Sequence, residues 1–205
     1  FLETFNPPAY KVASFESNHY PLIKKIIKTK KPILISTGLN SLSEINSLVK
    51  FLKKNKCKKY ALLKCTSSYP AKLKDLNIKT IKDMKSKFNC EIGYSDHSIG
   101  YIASNSAIHY GASFIEKHIC LDNKKGIDSK FSLNVTKLKE FKNQLLETYI
   151  SIGNISYGAT KNERSYLKFR RSIYCAKNIL KGEKLTKNNI KIVRPSYGIE
   201  PKYFD

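Results

Sequence analysis

The chain has 205 residues and is 41% hydrophobic, which allows a buried core in one large domain, or in one domain and part of another. Its formal net charge is +22, but the lysines are spread along the whole chain, which is more typical of solvated helix faces than of a nucleic-acid surface. No run of about 18 apolar residues occurs, so we expect no transmembrane span and no membrane partner. The five scattered cysteines lack C-x-x-C spacing, which argues against a zinc ribbon or disulfide framework and favours a reducing cytoplasm.

Short β-branched runs alternate with amphipathic segments over the first 152 residues. Strands are predicted at residues 9–13, 33–35, 60–65, 91–94 and 113–115. A capping box at Ser41–Glu44 begins one predicted helix, and others are predicted at 75–88, 99–110 and 135–152. This alternation predicts βαβ units and a parallel sheet, either open and doubly wound or forming most of a (β/α)₈ barrel.

Polar side chains at the strand ends favour the barrel. In a barrel the carboxyl ends of all strands meet at one face, where active sites are built. No G-x-G-x-x-G motif follows any strand, which weakens the dinucleotide-fold alternative. For any single residue, capping of the next helix remains an alternative role. The groups are Ser14, Glu16, Ser36, Thr37, Thr66, Ser67, Tyr69, Ser95, Asp96, His97, Glu116 and His118.

The pattern changes after Ile152. Residues 153–171 are polar and aperiodic, which predicts a linker. Strands are predicted at 172–176 and 190–193, with a turn at Lys181–Glu183 between them. Residues 172–205 are therefore predicted to begin a small β-rich module.

Several stretches resemble the sialic acid synthase family, in that family's order and spacing. They are Tyr10–Glu16 (YKVASFE), Pro32–Gly38 (PILISTG), Leu62–Pro70 (LLKCTSSYP), Gly93–His97 (GYSDH) and Ile115–His118 (IEKH). Arg171–Ile173, Lys181–Glu183 and Val193–Pro195 are similar to the opening of the family's C-terminal antifreeze-like (SAF) domain.

The resemblance implies a fold and a domain organisation. Residues 1–152 would form about strands four to eight of a (β/α)₈ TIM barrel, 153–171 a linker, and 172–205 a truncated antifreeze-like domain. It also implies about three further barrel strands before this sequence and the rest of the second domain after it. The 205 residues alone are therefore expected to be inactive.

Within the family, three segments are more similar to the pseudaminic acid synthases: 13–16, 126–132 and 194–203. The implied reaction condenses phosphoenolpyruvate with an acetamido sugar, 2,4-diacetamido-2,4,6-trideoxy-L-altrose, and releases phosphate. N-acetylneuraminate or legionaminic acid synthesis is the alternative. A basic nucleic-acid-binding protein is a remote alternative, because the charge is its only support and no RNP, zinc-finger or helix-turn-helix pattern occurs.

The family context implies a divalent metal site at His97 and His118, which end two successive predicted strands. Neutral imidazole binds divalent first-row metals, and two protein ligands leave room for water and a substrate oxygen. Without the family context, structural histidines would be the commoner interpretation. By resemblance the metal is Mn²⁺ or Mg²⁺.

Lys11 interrupts an apolar strand, so we expect it to point into the barrel mouth and find a partner there; an edge lysine that faces solvent is the alternative. By resemblance it binds phosphoenolpyruvate, with hydroxyl donors from Ser14, Ser36, Ser67 and Ser95, although some relatives carry Asn at the place of Ser67. Three residues are assigned catalytic roles by resemblance. Glu16 would transfer a proton or orient water, Asp128 would hold a sugar hydroxyl or metal-bound water, and Tyr69 would shape the pocket.

The resemblance also implies a partner chain. In the resembling enzymes the antifreeze-like domain of one subunit covers the barrel mouth of the other, which predicts a homodimer with exchanged second domains. Arg194 would then reach the sugar's N-acetyl group in the partner's site. A guanidinium suits this role because its donors form a rigid fork.

Overall fold

The computed structural model describes residues 1–204 and divides into two compact units, Phe1–Gly153 and a second unit that begins at Asn154. The strands are β1 Tyr10–Val12, β2 Ile33–Ser36, β3 Tyr60–Cys65, β4 Glu91–Asp96, β5 Ile115–Lys117, β6 Ile119–Cys120, β7 Leu133–Asn134, β8 Ser172–Cys175 and β9 Ile190–Val193. The α-helices are α1 Tyr20–Lys28, α2 Leu42–Lys54, α3 Thr80–Lys87, α4 Ile102–His109 and α5 Leu138–Ile152. None of the helices in the described residues is long and apolar enough to cross a membrane.

The first unit is built on a parallel five-stranded sheet in the order β1-β2-β3-β4-β5. Lys11 on β1 and Glu116 on β5, at opposite edges, form an ion pair with 3.2 Å between Nζ and Oε2. Neighbouring strands lie about 4.8 Å apart, so the edges of a flat sheet would be about 19 Å apart, farther than these two side chains span. The sheet is therefore curled into a half-barrel, which confirms the α/β prediction and its barrel-like curvature.

Helices cover the convex side of this sheet. Tyr10, Val12 and Ile33 alternate along their strands and join one buried cluster with helix residues such as Ile23 and Leu48. Because strand side chains alternate in direction, the intervening residues face the concave side. The capping box at the start of α2 is confirmed, since the Ser41 hydroxyl accepts from the Glu44 N–H and the Glu44 carboxylate accepts from the Ser41 N–H.

Several predicted boundaries were wrong. The helix predicted at 75–88 begins only at Thr80, because Asn77 has a positive φ of 47° that a right-handed helix excludes. Helix α4 begins at Ile102 and not at residue 99, because Gly100 also has a positive φ, 79°. The last strand of the sheet is Ile115–Lys117, two residues later than predicted, and so includes Glu116.

The second unit contains an antiparallel pair, β8 with β9, close to the predicted positions. The segment predicted as an aperiodic linker is not entirely irregular, because Arg164–Phe169 forms a 3-10 helix. The turn predicted near Lys181 is present, and Gly182 there has a φ of 89°. The assignment of this unit to an antifreeze-like domain stays a prediction.

Candidate active site

The concave side of the half-barrel collects the inward side chains of its strands. A pocket of about 450 Å³ lies on this side. It is lined by residues of β1, β2, β3 and β5 and of the segment just before β5, among them Lys11, Leu34, Leu63, Phe114 and Glu116. Lys11 is anchored there by its ion pair with Glu116 and by donating to the Val12 carbonyl at 3.0 Å. Lys11 therefore points inward and has a partner, as expected, and that partner is the carboxylate of Glu116.

Hydroxyl groups gather around Gly38, directly after β2. The Gly38 N–H donates to Ser14 Oγ at 3.0 Å, and a Cβ at position 38 would overlap Ser67 Oγ and come within 2.8 Å of Ser14 Oγ. The absence of a side chain at Gly38 is therefore required for Ser14 and Ser67 to lie this close together. The structure brings together two of the four predicted hydroxyl donors at this point.

Ser36 and Ser95 end the inward rows of β2 and β4, and both are buried. The Ser36 hydroxyl is buried with no hydrogen-bond partner in the described structure. Buried polar groups are nearly always satisfied, so an unsatisfied hydroxyl facing the concave side is suited to a polar ligand. Ser95 lies in register with Cys65 on one side and Glu116 on the other.

His97 and His118 follow β4 and β5 and meet with ring centroids 5.2 Å apart, edge to face. His97 Nδ1 lies 2.9 Å from the Thr66 carbonyl oxygen, which can only accept, so Nδ1 carries the proton. The lone pair of His97 is therefore at Nε2. The structure brings together the two histidines that the sequence pointed to, although helix α4 and strand β5 lie between them in the chain.

The two imidazoles differ in their affinity for a proton. Burial lowers the pKa of His97, but the contacts with Cys65 and with the Thr66 carbonyl more than offset this, so the pKa of His97 is raised overall. The pKa of His118 is lowered, first by burial and then by the neighbouring His97. His118 is thus the histidine more readily neutral, the form that binds metals.

Aromatic side chains form one wall beside the histidines. The Tyr69 ring centroid lies 4.4 Å from that of His97 and 5.7 Å from that of Phe131, and Phe131 lies 5.1 Å from His118. Burial raises the pKa of Tyr69, and nearby negative charges, including those of Asp128 and Glu16, raise it further. Tyr69 therefore remains a neutral phenol at the edge of the site.

The two predicted acids lie in different surroundings. Asp128 Oδ2 is 3.5 Å from His118 Nδ1, so this exposed carboxylate is next to the histidine pair. Glu16 ends the 3-10 turn Ser14–Glu16 and lines a 480 Å³ pocket with Tyr10, Leu22 and other residues. Its negative charge makes a small contribution to the raised pKa of Tyr69.

The residues present fit a divalent cation held by two histidines. His97 Nε2 is left free by the bond at Nδ1, the arrangement in which a second partner orients a ligating imidazole. Asp128 Oδ2 lies 3.5 Å from His118 Nδ1 and is placed to orient that imidazole. Within residues 1–204 no group of three or more His, Cys, Asp or Glu side chains is arranged to hold a metal, so water or substrate would complete the coordination.

Arg194 is exposed and follows directly after β9 in the second unit. In the same unit, the Tyr174 hydroxyl donates to the carbonyl of Pro195, the residue after Arg194, at 2.8 Å. The predicted role of Arg194 in a partner subunit stays a prediction.

Two residues at the site, Cys65 and Phe131, were not singled out from the sequence, and Glu116 was predicted at the active-site face but was given no role. The signal for Glu116 was strand alternation, because it lies two positions before His118 and so on the same face. Cys65 lies 3.7 Å from His97 Nδ1; burial raises its pKa, but hydrogen bonds with His97 and Ser14 outweigh this and lower the pKa to about 7. Phe131 lies in the loop that precedes β7, and no sequence pattern indicated that it belongs to the site.

Residues 1–157 match the NeuB family. The chain belongs to the NeuB family. A second comparison relates this NeuB-family chain to the pseudaminic acid synthase of Campylobacter jejuni subsp. jejuni serotype O:2, which is 40% identical over 205 residues, covering 100% of this chain and 60% of the relative. The N,N'-diacetyllegionaminic acid synthase of the same organism is 36% identical over 200 residues, covering 96% of this chain and 60% of that protein.

A solved structure supports the same placement. The N-acetylneuraminic acid (sialic acid) synthetase of Leptospira borgpetersenii serovar Hardjo-bovis, in complex with citrate, matches with a TM-score of 0.74 and 30% identity over 82% of this chain and 59% of that one. The NeuB-family chain thus spans about three fifths of the length of the relatives it matches.

Proposed function

We propose that the protein containing this chain is a pseudaminic acid synthase, which condenses phosphoenolpyruvate with 2,4-diacetamido-2,4,6-trideoxy-L-altrose. The observation that carries the proposal is the convergence of a lysine, a hydroxyl cluster and a histidine pair on one concave face of a NeuB-family half-barrel. The 40% identity to a pseudaminic acid synthase over the whole chain supports this substrate.

The proposed reaction forms one carbon–carbon bond, and at C2 a carbon–oxygen bond to water replaces the carbon–oxygen bond to phosphate. C3 of phosphoenolpyruvate attacks the aldehyde carbon of the open-chain sugar, whose oxygen becomes a hydroxyl after gaining a proton. Water adds at C2 and loses both of its protons, one to the former aldehyde oxygen and one to the phosphate, which leaves from C2 to give a 2-keto acid. Charge therefore develops at the aldehyde oxygen and on the departing phosphate, and both need fixed donors or cations.

Lys11 and the hydroxyl groups of Ser14, Ser36, Ser67 and Ser95 are proposed to bind the phosphate and carboxylate of phosphoenolpyruvate. Lys11 supplies a positive charge on the concave face, and the hydroxyls supply donors without changing protonation. The unsatisfied Ser36 hydroxyl supports this role, because a bound anion would give it a partner.

His97 and His118 are proposed to hold Mn²⁺ or Mg²⁺, with Asp128 beside His118. A bound divalent cation supplies Lewis acidity toward the aldehyde oxygen. The Thr66 carbonyl orients the His97 ring by accepting from Nδ1 and leaves Nε2 available for the cation, and the ring centroids of His97 and His118 are 5.2 Å apart.

Glu16, Asp128 and Tyr69 complete the proposed site. Glu16 accepts a proton from the attacking water or orients it, and Asp128 holds a sugar hydroxyl or water near His118. Tyr69 and the neighbouring Phe131 form a wall that excludes water from one side of the reacting carbons.

The remaining assignments are part of the same proposal. The second unit would be an antifreeze-like domain, exchanged in a cytoplasmic homodimer so that Arg194 of one subunit reaches the sugar's N-acetyl group in the partner's site. The β8–β9 pair is compatible with a small β-rich domain.

The test is phosphate release from phosphoenolpyruvate by the full-length protein with Mn²⁺, across a panel of acetamido sugars. Release with 2,4-diacetamido-2,4,6-trideoxy-L-altrose, and none without a sugar, is expected. The second candidate is a legionaminic acid synthase, favoured by the 36% identity to such an enzyme. Preference for the sugar that gives legionaminic or N-acetylneuraminic acid would replace the proposed substrate, and no release with any sugar would reject the activity.

A further inference from the structure

Glu116 is a charged residue on the concave face with no role in the assignments above. It lies at the centre of β5, in register with Ser95, which in turn is in register with Cys65. One of its carboxylate oxygens, Oε2, is shielded from water and lies 3.2 Å from the Lys11 ammonium, in an ion pair without hydrogen-bond geometry. A carboxylate oxygen shielded from water needs a cationic partner, and Lys11 is that partner here.

This ion pair engages one of the donors of the Lys11 ammonium. Lys11 also donates to the Val12 carbonyl at 3.0 Å. An ammonium group has three donors, so after these two contacts it keeps a donor for a third partner. The two side chains are 30% and 40% exposed and both line the 450 Å³ concave pocket, so a small ligand can reach them.

The pair is poorly suited to a purely stabilising role. Ion pairs with this much exposure contribute little to folding, because solvent screens them. A lysine on an edge strand would otherwise extend its ammonium into water. Glu116 comes from the opposite edge of the half-barrel and draws that ammonium across the concave face.

We propose that Glu116 is a positioning residue, which holds Lys11 across the half-barrel so that its remaining donor can bind the phosphate of an incoming anion. This inference rests on the proposed function, because it deepens the role given to Lys11. Two requirements follow for Glu116. Glu116 acts only through Lys11, and it acts on the anionic substrate and not on the sugar.

A double-mutant cycle tests both requirements. Full-length wild type, Lys11→Ala, Glu116→Ala and the double variant would be titrated calorimetrically with phosphoenolpyruvate, and separately with inorganic phosphate. We expect Glu116→Ala to weaken binding about tenfold and Lys11→Ala about a hundredfold. The double variant should match Lys11→Ala within about twofold, because coupled residues are not additive.

Two further variants separate positioning from general effects. Glu116→Gln keeps an acceptor oxygen and the side-chain shape, so it should lose no more than about threefold, and it carries the test if the alanine variant misfolds. Glu147→Ala removes a carboxylate from the exposed surface of α5 and should leave binding unchanged. In turnover, Glu116→Ala should raise KM for phosphoenolpyruvate and leave KM for the sugar within about twofold.

Failure of the positioning role and failure of the proposed function give different results. Equal weakening by Glu116→Ala in the presence and absence of Lys11, or unchanged or tighter anion binding, would overturn the positioning role. If wild type binds inorganic phosphate and obeys the cycle but does not bind phosphoenolpyruvate, the role of Glu116 stands and the proposed function fails. If wild type binds neither anion, both fail.

Discussion

Asp96 and Lys117 form an ion pair of 2.9 Å, and their side chains are 0% and 4% exposed. The two residues lie opposite each other on β4 and β5. Asp96 also accepts from the Ser98 N–H, the Ser98 hydroxyl and the Ser104 hydroxyl, and Lys117 also donates to the Ser98 carbonyl. The pair thus fixes the start of the loop after β4, next to His97, on which the metal proposal depends.

Breaking this pair should destabilise the protein. Lys117→Met would leave the Asp96 carboxylate buried without its cation, and we expect a loss of about 3 kcal/mol in the free energy of unfolding. Urea unfolding of the full-length protein measures it. Lys139→Met, on the exposed surface of α5, is the control and should change stability by less than about 0.5 kcal/mol. Similar small losses in both variants would show that the pair is not important for stability.

The histidine pair gives a prediction about metal dependence. His97→Ala and His118→Ala should each lower Mn²⁺-dependent phosphate release by about a hundredfold or more and weaken Mn²⁺ binding, with little loss of fold. Steady-state assays and metal titration by calorimetry measure the two effects. His109→Ala, at the end of α4, is the control and should keep both properties. Full metal-dependent turnover in both site variants would contradict the assignment.

Cysteine reactivity provides a test of the local environments. Burial raises the pKa of Cys90 to about 11, so at pH 8 little of it is thiolate. The thiolate fraction below the pKa rises about tenfold per pH unit, so the Cys90 alkylation rate should rise about a hundredfold from pH 8 to pH 10. Peptide mass spectrometry after iodoacetamide treatment measures this rate.

The exposed Cys175 serves as the internal comparison and should be alkylated before Cys90 at pH 8. The same experiment in urea should remove the difference in access. Rapid alkylation of Cys90 at pH 8 in the folded protein would show that its surroundings are more open than described.

The proposed role of Arg194 predicts complementation between subunits. Arg194→Ala should raise KM for the sugar by about tenfold or more and leave KM for phosphoenolpyruvate nearly unchanged, because the guanidinium would contact only the sugar. Mixing this variant with His97→Ala should restore part of the activity, since one site of a mixed dimer keeps both residues. Arg164→Ala is the matched control, with no expected change in either KM. If no activity is recovered although subunit exchange is demonstrated, Arg194 acts in its own chain or has no role in the reaction.

Local sequence patterns predicted the elements well where the deciding interactions are local. The capping box of α2 depends on Ser41 and Glu44, three residues apart, and was confirmed. The start of α3 was predicted too early because apolar spacing does not report the left-handed conformation of Asn77. Polar strand ends likewise pointed to His97 and His118, because a parallel sheet places all its carboxyl ends on one side.

The sequence by itself determined which strands are parallel and which residues alternate to the concave side, because both follow from short-range periodicity. Only the tertiary structure decided that Lys11 and Glu116 meet. They belong to strands at opposite edges of the sheet, and contact between them depends on the sheet's curvature, which accumulates over four strand pairings. Strand twist and side-chain packing set that curvature jointly, and no single segment of the chain encodes it.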